Sequence, residues 1–179
     1  MTPLGAIHFT FSLLAIGFGA VVLLLAKGTR WHRTLGHGYF WCMIGVIVTS
    51  FAMYNLTGRV TPFHLAALVA AVTLVGGAWT ALRRGPRGGW IEAHATWMAW
   101  SYAGLMAALV AESATRFLQP LLAKPLGDLG LWPLFWGLVI GGSGGSLLAG
   151  AWLIRRRLPA AIATTPAAMR AERRALVEE

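Results

Sequence analysis

Five long apolar stretches dominate the sequence and limit what it can fold into. They cover about residues 4–26, 38–56, 62–82, 93–113 and 130–154, and each is close to the roughly 20 residues that a helix needs to cross a bilayer. Charged residues make up only 12% of the chain, about half of their share in a soluble domain. The sequence therefore predicts an all-α, polytopic transmembrane helical bundle. We expect a four-helix up-and-down core plus a fifth, glycine-rich helix, all within a single domain of residues 1–154.

The basic residues predict how the chain is oriented in the membrane. Lysine and arginine beside a span resist translocation and stay in the cytoplasm. They collect within residues 27–33, 83–87 and 155–157, whereas the opposite side carries only Arg59, Arg116 and Lys124. We therefore expect the N-terminus outside and the C-terminus inside, with residues 155–179 as a basic cytoplasmic tail containing a short helix. Because the charges lie between apolar stretches and form no stripe on a polar domain, lipid is the expected surrounding and nucleic acid is not an expected partner.

Histidines supply the main functional clue, because ionisable groups in membrane spans are costly and mark functional sites by default. His8 and His64 are expected near the outer face, and His32 and His94 near the inner face. In an up-and-down bundle, helices 1 and 3 are diagonal to each other, as are helices 2 and 4. The sequence therefore predicts two histidine pairs, His8 with His64 and His32 with His94. His37 lies off the helical face of His32 and is expected at the membrane interface.

The chemistry open to such pairs is limited. One imidazole from each of two helices is what six-coordinate haem b requires, and neutral imidazole also binds copper or zinc. Arg33 could pair with a haem propionate. A smaller set of His8, His64 and Glu112 would instead suit a transition metal with two histidine ligands and one carboxylate. Haem b or a metal for electron transfer or metal handling is thus one hypothesis, and hydrogen bonding of interfacial histidines to backbone or lipid phosphate is the plain alternative.

The fifth stretch carries a row of small residues, Gly137, Gly141, Gly145 and Ala149, spaced every four positions. Such a row forms a flat surface that another helix can approach closely. Packing within the monomer, a homo-oligomer or partner interface, and a groove for a flat cofactor all remain open. The interface interpretation makes the protein a non-catalytic structural or assembly subunit of a membrane complex.

Other functional classes receive less support from the sequence. A proton or metal-ion carrier could use Glu112 and the histidines as relay groups, but few polar residues lie between the two faces. No hydrolase, protease or nucleotide-binding motif occurs in a supporting context. The sequence therefore predicts no catalytic residue and leaves open whether the protein is an enzyme.

Two motifs resemble a known family. The segments HRTLGHGYFWCM, from His32, and HATWMAWSY, from His94, are similar to the HR-x-x-G-x-x-Y and histidine–WM–SY signatures of a family of bacterial predicted membrane proteins, domain of unknown function 2306. The resemblance covers about residues 5–117 and includes an early histidine, here His8. It departs at Ala99, where an arginine often follows WM. The resemblance implies a multi-helix protein of the bacterial inner membrane with no assigned activity.

Overall fold

Five α helices make up the described part of the chain. The computed structural model describes residues 2–53, 62–83, 89–163 and 165, without the side chains of 62, 118–120 and 122–131. The helices are α1 (Pro3–Leu24), α2 (Arg30–Ala52), α3 (Pro62–Leu82), α4 (Gly89–Ser113) and α5 (Gln119–Ala163), and a π-helical turn, Ala114–Leu118, joins the last two. These residues contain no strand, and the predicted all-α class is confirmed.

Threonine caps determine where the first two helices begin. Thr2 accepts a hydrogen bond from the Gly5 amide through its hydroxyl, and Pro3 follows it at the first helical position, where proline is favoured. Thr29 Oγ1 accepts from the backbone nitrogen of His32 at 3.2 Å. Helix α2 therefore begins at Arg30, whereas the apolar stretch predicted its span from residue 38, because the first two turns are polar. His32 consequently lies within the first turn of α2.

For the connection after α4, about residues 114–129, the sequence predicts either a short amphipathic piece along the outer surface or an ordinary loop, and the structure has helix here. The chain continues through the π-helical turn into α5, which starts at Gln119 and runs past Arg155, Arg156 and Arg157 to Ala163. Prolines in this stretch do not end the helix, since neighbouring groups can satisfy the freed backbone in a membrane bundle. The helix predicted for the tail after Thr165 lies outside the described residues.

The helices pack as antiparallel neighbours, with α2 and α4 running parallel to each other. His8 of α1 contacts Thr49 of α2, and His94 of α4 contacts Gly77 of α3. Helix α5 folds back along α4, where Ser143 Oγ donates to a backbone carbonyl at 3.0 Å. Helices α1 to α4 meet in one apolar core, formed by Ala15, Tyr39, Cys42, Met43, Ile47, Leu74 and Leu105. Helix α5 packs near the end of α4 in a second cluster, formed by Ala111, Ala114, Phe135 and Val139.

Four of the described helices are long and apolar enough to cross a membrane. They are Pro3–Leu24, Arg30–Ala52, Phe63–Leu82 and Trp132–Ala163. Helix α4, the fourth of the five predicted spans, is not among them, because it carries more polar residues. It nevertheless packs along both α3 and α5. If its two neighbours cross the bilayer, α4 lies at the same depth.

Candidate functional site

The two motif helices, α2 and α4, face each other diagonally across the bundle and are linked through long side chains. The hydroxyls of Tyr39 and Ser101 are 2.9 Å apart in the buried centre of the bundle. In each motif a histidine precedes this contact by seven residues, at 32 before 39 and 94 before 101. Seven residues are about two helical turns, or roughly 10 Å. Because the helices run in the same direction, His32 and His94 occupy one layer, where a charge on one ring would act on the other.

His94 is oriented by a neighbouring backbone. Its Nδ1 lies 2.8 Å from the carbonyl oxygen of Gly77 on α3. A carbonyl can only accept, so Nδ1 carries the hydrogen and the lone pair of a neutral ring is on Nε2. Metal-binding histidines are typically held in this way, with one ring N–H donated to a backbone carbonyl or carboxylate. Gly77 permits the close helix approach, since a Cβ there would overlap the sulfur of Met98.

His32 has a buried ring nitrogen without a partner. Its Nδ1 forms no hydrogen bond to any described residue, and the ring also interacts with the carbonyl of Val22. Lys27 lies beside it and donates from Nζ to the carbonyls of Val22 and Leu23, at 2.9 and 2.7 Å, at the end of α1. Burial lowers the pKa of Lys27. Arg33 is exposed at the rim of this layer.

His8 lies at the opposite end of the bundle in a second polar cluster. The ring is buried, and its Nδ1 is 2.8 Å from the hydroxyl of Thr49. On its other side, Nε2 lies 3.8 Å from Oε2 of Glu112. The other carboxylate oxygen, Oε1, accepts from Arg116 at 2.8 Å through Nε and at 2.6 Å through a terminal nitrogen. The structure thus brings His8, Glu112 and Arg116 together.

The third member of the predicted metal set lies elsewhere at this end. The ring of His64 is 6.5 Å from that of Phe51. Across the described ranges, no three histidine, cysteine or acidic side chains are grouped closely enough to hold a metal ion. His64 therefore does not join His8 and Glu112 in such a group.

The row of small residues on α5 faces away from the other helices. Gly137, Gly141, Gly145 and Ala149 are exposed, and a Cβ built at any of the three glycines meets nothing within 4 Å. The neighbouring row faces α4 instead, where a Cβ at Gly150 would lie 2.8 Å from that of Ala103. Packing within the described monomer therefore uses the second row of small residues and leaves the first one open.

Sequence reasoning missed the partners that hold these histidines. Thr49 and the Gly77 carbonyl were not assigned, because hydropathy does not report which way a helix is rotated. The contact between Tyr39 and Ser101 did have a signal in the sequence. Both motifs place a hydroxyl residue seven positions after the histidine, which predicts matching layers once the two helices are taken as running in the same direction.

A family model described as "Predicted membrane protein (DUF2306)" matches residues 5–126. The chain belongs to this family. The match contains both motif helices and His8, which is the part of this DUF2306 protein that carries the polar clusters. No curated protein and no solved structure matches the chain significantly. Membership in DUF2306 thus identifies a membrane protein without naming a reaction, and the function has to be argued from the side chains.

Proposed function

We propose that this DUF2306 protein binds a metal through His32 and His94, either as the iron of haem b or as a transition-metal ion, for electron transfer or metal handling. The observation that supports it best is the hydrogen bond from His94 Nδ1 to the Gly77 carbonyl, at 2.8 Å. It leaves Nε2 free to act as a ligand in the layer that also contains His32.

Burial of the second histidine favours a ligand in the same layer. A buried polar atom without a hydrogen bond costs about 1–3 kcal/mol, and His32 Nδ1 is such an atom among the described residues. A metal between the two rings would satisfy it. Arg33, exposed beside His32, would pair with a haem propionate if the metal is haem iron. Haem would supply one-electron chemistry, and a bare ion would indicate metal handling.

We propose that the metal site of His32 and His94 lies at the cytoplasmic face of the membrane. Lys27, Arg83 and the arginines at 155–157 flank the ends of the described helices on the side of His32 and His94, and basic flanks remain cytoplasmic. On this basis we propose an inner-membrane protein with its N-terminus outside.

His8, at the opposite end of the bundle, is not part of the proposed metal site. Both ring nitrogens of His8 already face protein groups, Thr49 at 2.8 Å and Glu112 at 3.8 Å. A metal ligand needs one nitrogen with an open approach. The cluster around His8 is therefore better suited to protons than to haem or a metal.

The proposal predicts that replacing one ligand empties the site. Wild-type protein purified in mild detergent from cells supplied with iron and haem precursor should show a Soret band that shifts on dithionite reduction, or a stoichiometric metal by elemental analysis. His94→Ala should lower the bound metal at least about tenfold, since the remaining imidazole cannot hold it alone.

His37→Ala is the matched control for this experiment. His37 lies on the motif segment of α2 but is exposed and outside the paired layer, so its loss should leave the spectrum and the metal content unchanged. Colourless, metal-free wild-type protein would refute the proposal, as would an undiminished metal content in His94→Ala.

A second candidate function, an assembly subunit, is favoured by the outward row on α5. Gly137, Gly141 and Gly145 are exposed and unpacked in the described monomer. Helices associate in lipid through van der Waals contact, which rows of small residues maximise. The row therefore suits a helix of another membrane subunit or of a second copy.

If the protein is an assembly subunit, replacing a glycine of the exposed row with a larger residue should abolish binding to its partner helix. We expect Gly141→Leu and Gly145→Leu to lose the partners that the wild type retains when it is purified from native membranes and identified by mass spectrometry. Ile140→Phe adds bulk at a position that is 68% exposed but beside the row, and it should retain them. Equal recovery of partners in all four proteins would exclude an interface through this row.

A further inference from the structure

We propose that His8 and Glu112 form a proton-binding site at the end of the bundle where α1 begins and α4 ends. This site lies at the opposite end of the bundle from the metal site proposed above and does not depend on it. The bound species is one proton taken from water, which adds to Nε2 of His8 and converts neutral imidazole to imidazolium.

Hydrogen bonds around His8 determine which nitrogen takes the proton. The hydroxyl of Thr49 lies 2.6 Å from the carbonyl of Gly45 and 3.0 Å from that of Val46, so its hydrogen is donated to the backbone. Its oxygen can then only accept from His8 Nδ1 at 2.8 Å. Nδ1 must therefore carry a hydrogen in both charge states, and Nε2 is the atom that gains or loses one.

Glu112 is held so that one oxygen faces this nitrogen. Arg116 occupies Oε1 through two nitrogens, and Oε2 points towards His8 Nε2 at 3.8 Å. This distance is too long for a hydrogen bond. A proton on Nε2 would make the ring a charged hydrogen-bond donor. We then expect Nε2 and Oε2 to move together, because a charged N–H donor and a carboxylate oxygen favour a separation near 2.8 Å.

The acidic side chain connects the buried ring to the surface of the bundle. The side chains of Glu112 and Arg116 are 27% and 30% exposed, whereas that of His8 is 8% exposed. Glu112 can therefore pass a proton between solvent and the buried ring. The π-helical turn that begins at Ala114 places Arg116 over this entrance, and such turns are frequent at functional sites.

Few other charges face the pair. Helix α1 has no ionisable residue besides His8, and α2 presents Thr49 here. Helix α3 carries His64 at this end, against Phe51, and the described contacts of α5 are the apolar Phe135 and Val139. Among the described side chains, Glu112 and Arg116 are thus the charges that act directly on His8.

An apolar layer separates this site from the contact between Tyr39 and Ser101. Met43 and Ile47 lie between Tyr39 and Thr49 on α2, Leu105 lies between Ser101 and Glu112 on α4, and Ala15 completes the layer from α1, all in one buried cluster. Protons therefore exchange with one side of the membrane only. The arrangement favours a site that is loaded and emptied from one face over a continuous proton path.

Nitrogen NMR of histidine-labelled protein in lipid nanodiscs tests the proposal. We expect one imidazole, absent in His8→Gln, whose Nδ1 stays protonated at every pH and whose Nε2 gains a proton on acidification. Glu112→Gln should weaken proton binding about tenfold, because it removes the opposite charge. Thr49→Val should abolish the fixed Nδ1–H tautomer.

Ser12→Ala is the matched control, since Ser12 Oγ donates to the backbone carbonyl of His8 at 2.9 Å and not to the ring; its titration should equal that of the wild type. A neutral wild-type His8 ring with its hydrogen on Nε2 and none on Nδ1 would overturn the proposal even if no variant folds. An unchanged titration in Glu112→Gln would do the same. In vesicles loaded with a pH dye, proton flux that stops in His8→Gln would refute exchange with one side only.

Discussion

Gly19→Ala is expected to lower the free energy of unfolding by about 3 kcal/mol, the upper range for overpacking a core. Gly19 is buried where α1 crosses α4, and a Cβ there would overlap the ring of Tyr102 and lie 3.0 Å from Cε2 of Tyr39. Neither ring can move aside easily, since Tyr39 is bonded to Ser101 at 2.9 Å. Thermal unfolding in detergent, followed by circular dichroism, measures the change.

Gly17→Ala provides the control within the same helix. A Cβ at Gly17 meets nothing within 4 Å, and alanine has the better helix propensity. We expect its melting temperature to equal or slightly exceed that of the wild type. If both variants melt at the same temperature, α1 does not pack on α4 through Gly19.

Ser101→Leu is expected to affect both stability and the proposed metal site. Ser101 is 1% exposed and holds the Tyr39 hydroxyl, so leucine would overpack the centre and leave that hydroxyl unpaired, together costing about 3 kcal/mol. Moving α4 from α2 would also separate His32 from His94, two turns away. We therefore expect a lower melting temperature and less bound metal in the same sample.

Ala108→Leu makes the same kind of enlargement on the exposed face of α4. It should leave both the melting temperature and the metal content close to those of the wild type. A Ser101→Leu protein that binds metal normally would mean that the register of α2 and α4 does not position the histidines.

The sequence predicts the helices far better than their contacts. Length and hydropathy were sufficient for α1 and α3, because lipid requires about 20 apolar residues per span. They failed at the start of α2, where Arg30 and His32 are helical but polar, although Thr29 in front of them is an N-cap residue. They left a short amphipathic piece and an ordinary loop open after α4, where the backbone continues as a helix.

At the candidate site too, the sequence predicts where residues lie along the helices better than which groups they contact. The predicted topology was sufficient to place His32 and His94 at the same end of the bundle. The bond between His94 and the Gly77 carbonyl depends on the rotation of α3, which hydropathy leaves undetermined. For His8, the expected partner was His64, but the neighbours in the structure are Thr49 and Glu112, because α1 packs against α2 and α4.

The polarity of α4 has a consequence for how the protein is made. An isolated helix of lower mean hydropathy partitions less readily into lipid when it leaves the translocon, and α4 is the long described helix before α5 that does not qualify as a span by length and composition alone. Its polar residues meet partners on α2 and α3, including Tyr39 and Gly77, which are synthesised earlier. Membrane insertion of α4 should therefore depend on α2 and α3, which enter the membrane before it. Biogenesis of the bundle is then cooperative and follows the order of the helices in the chain.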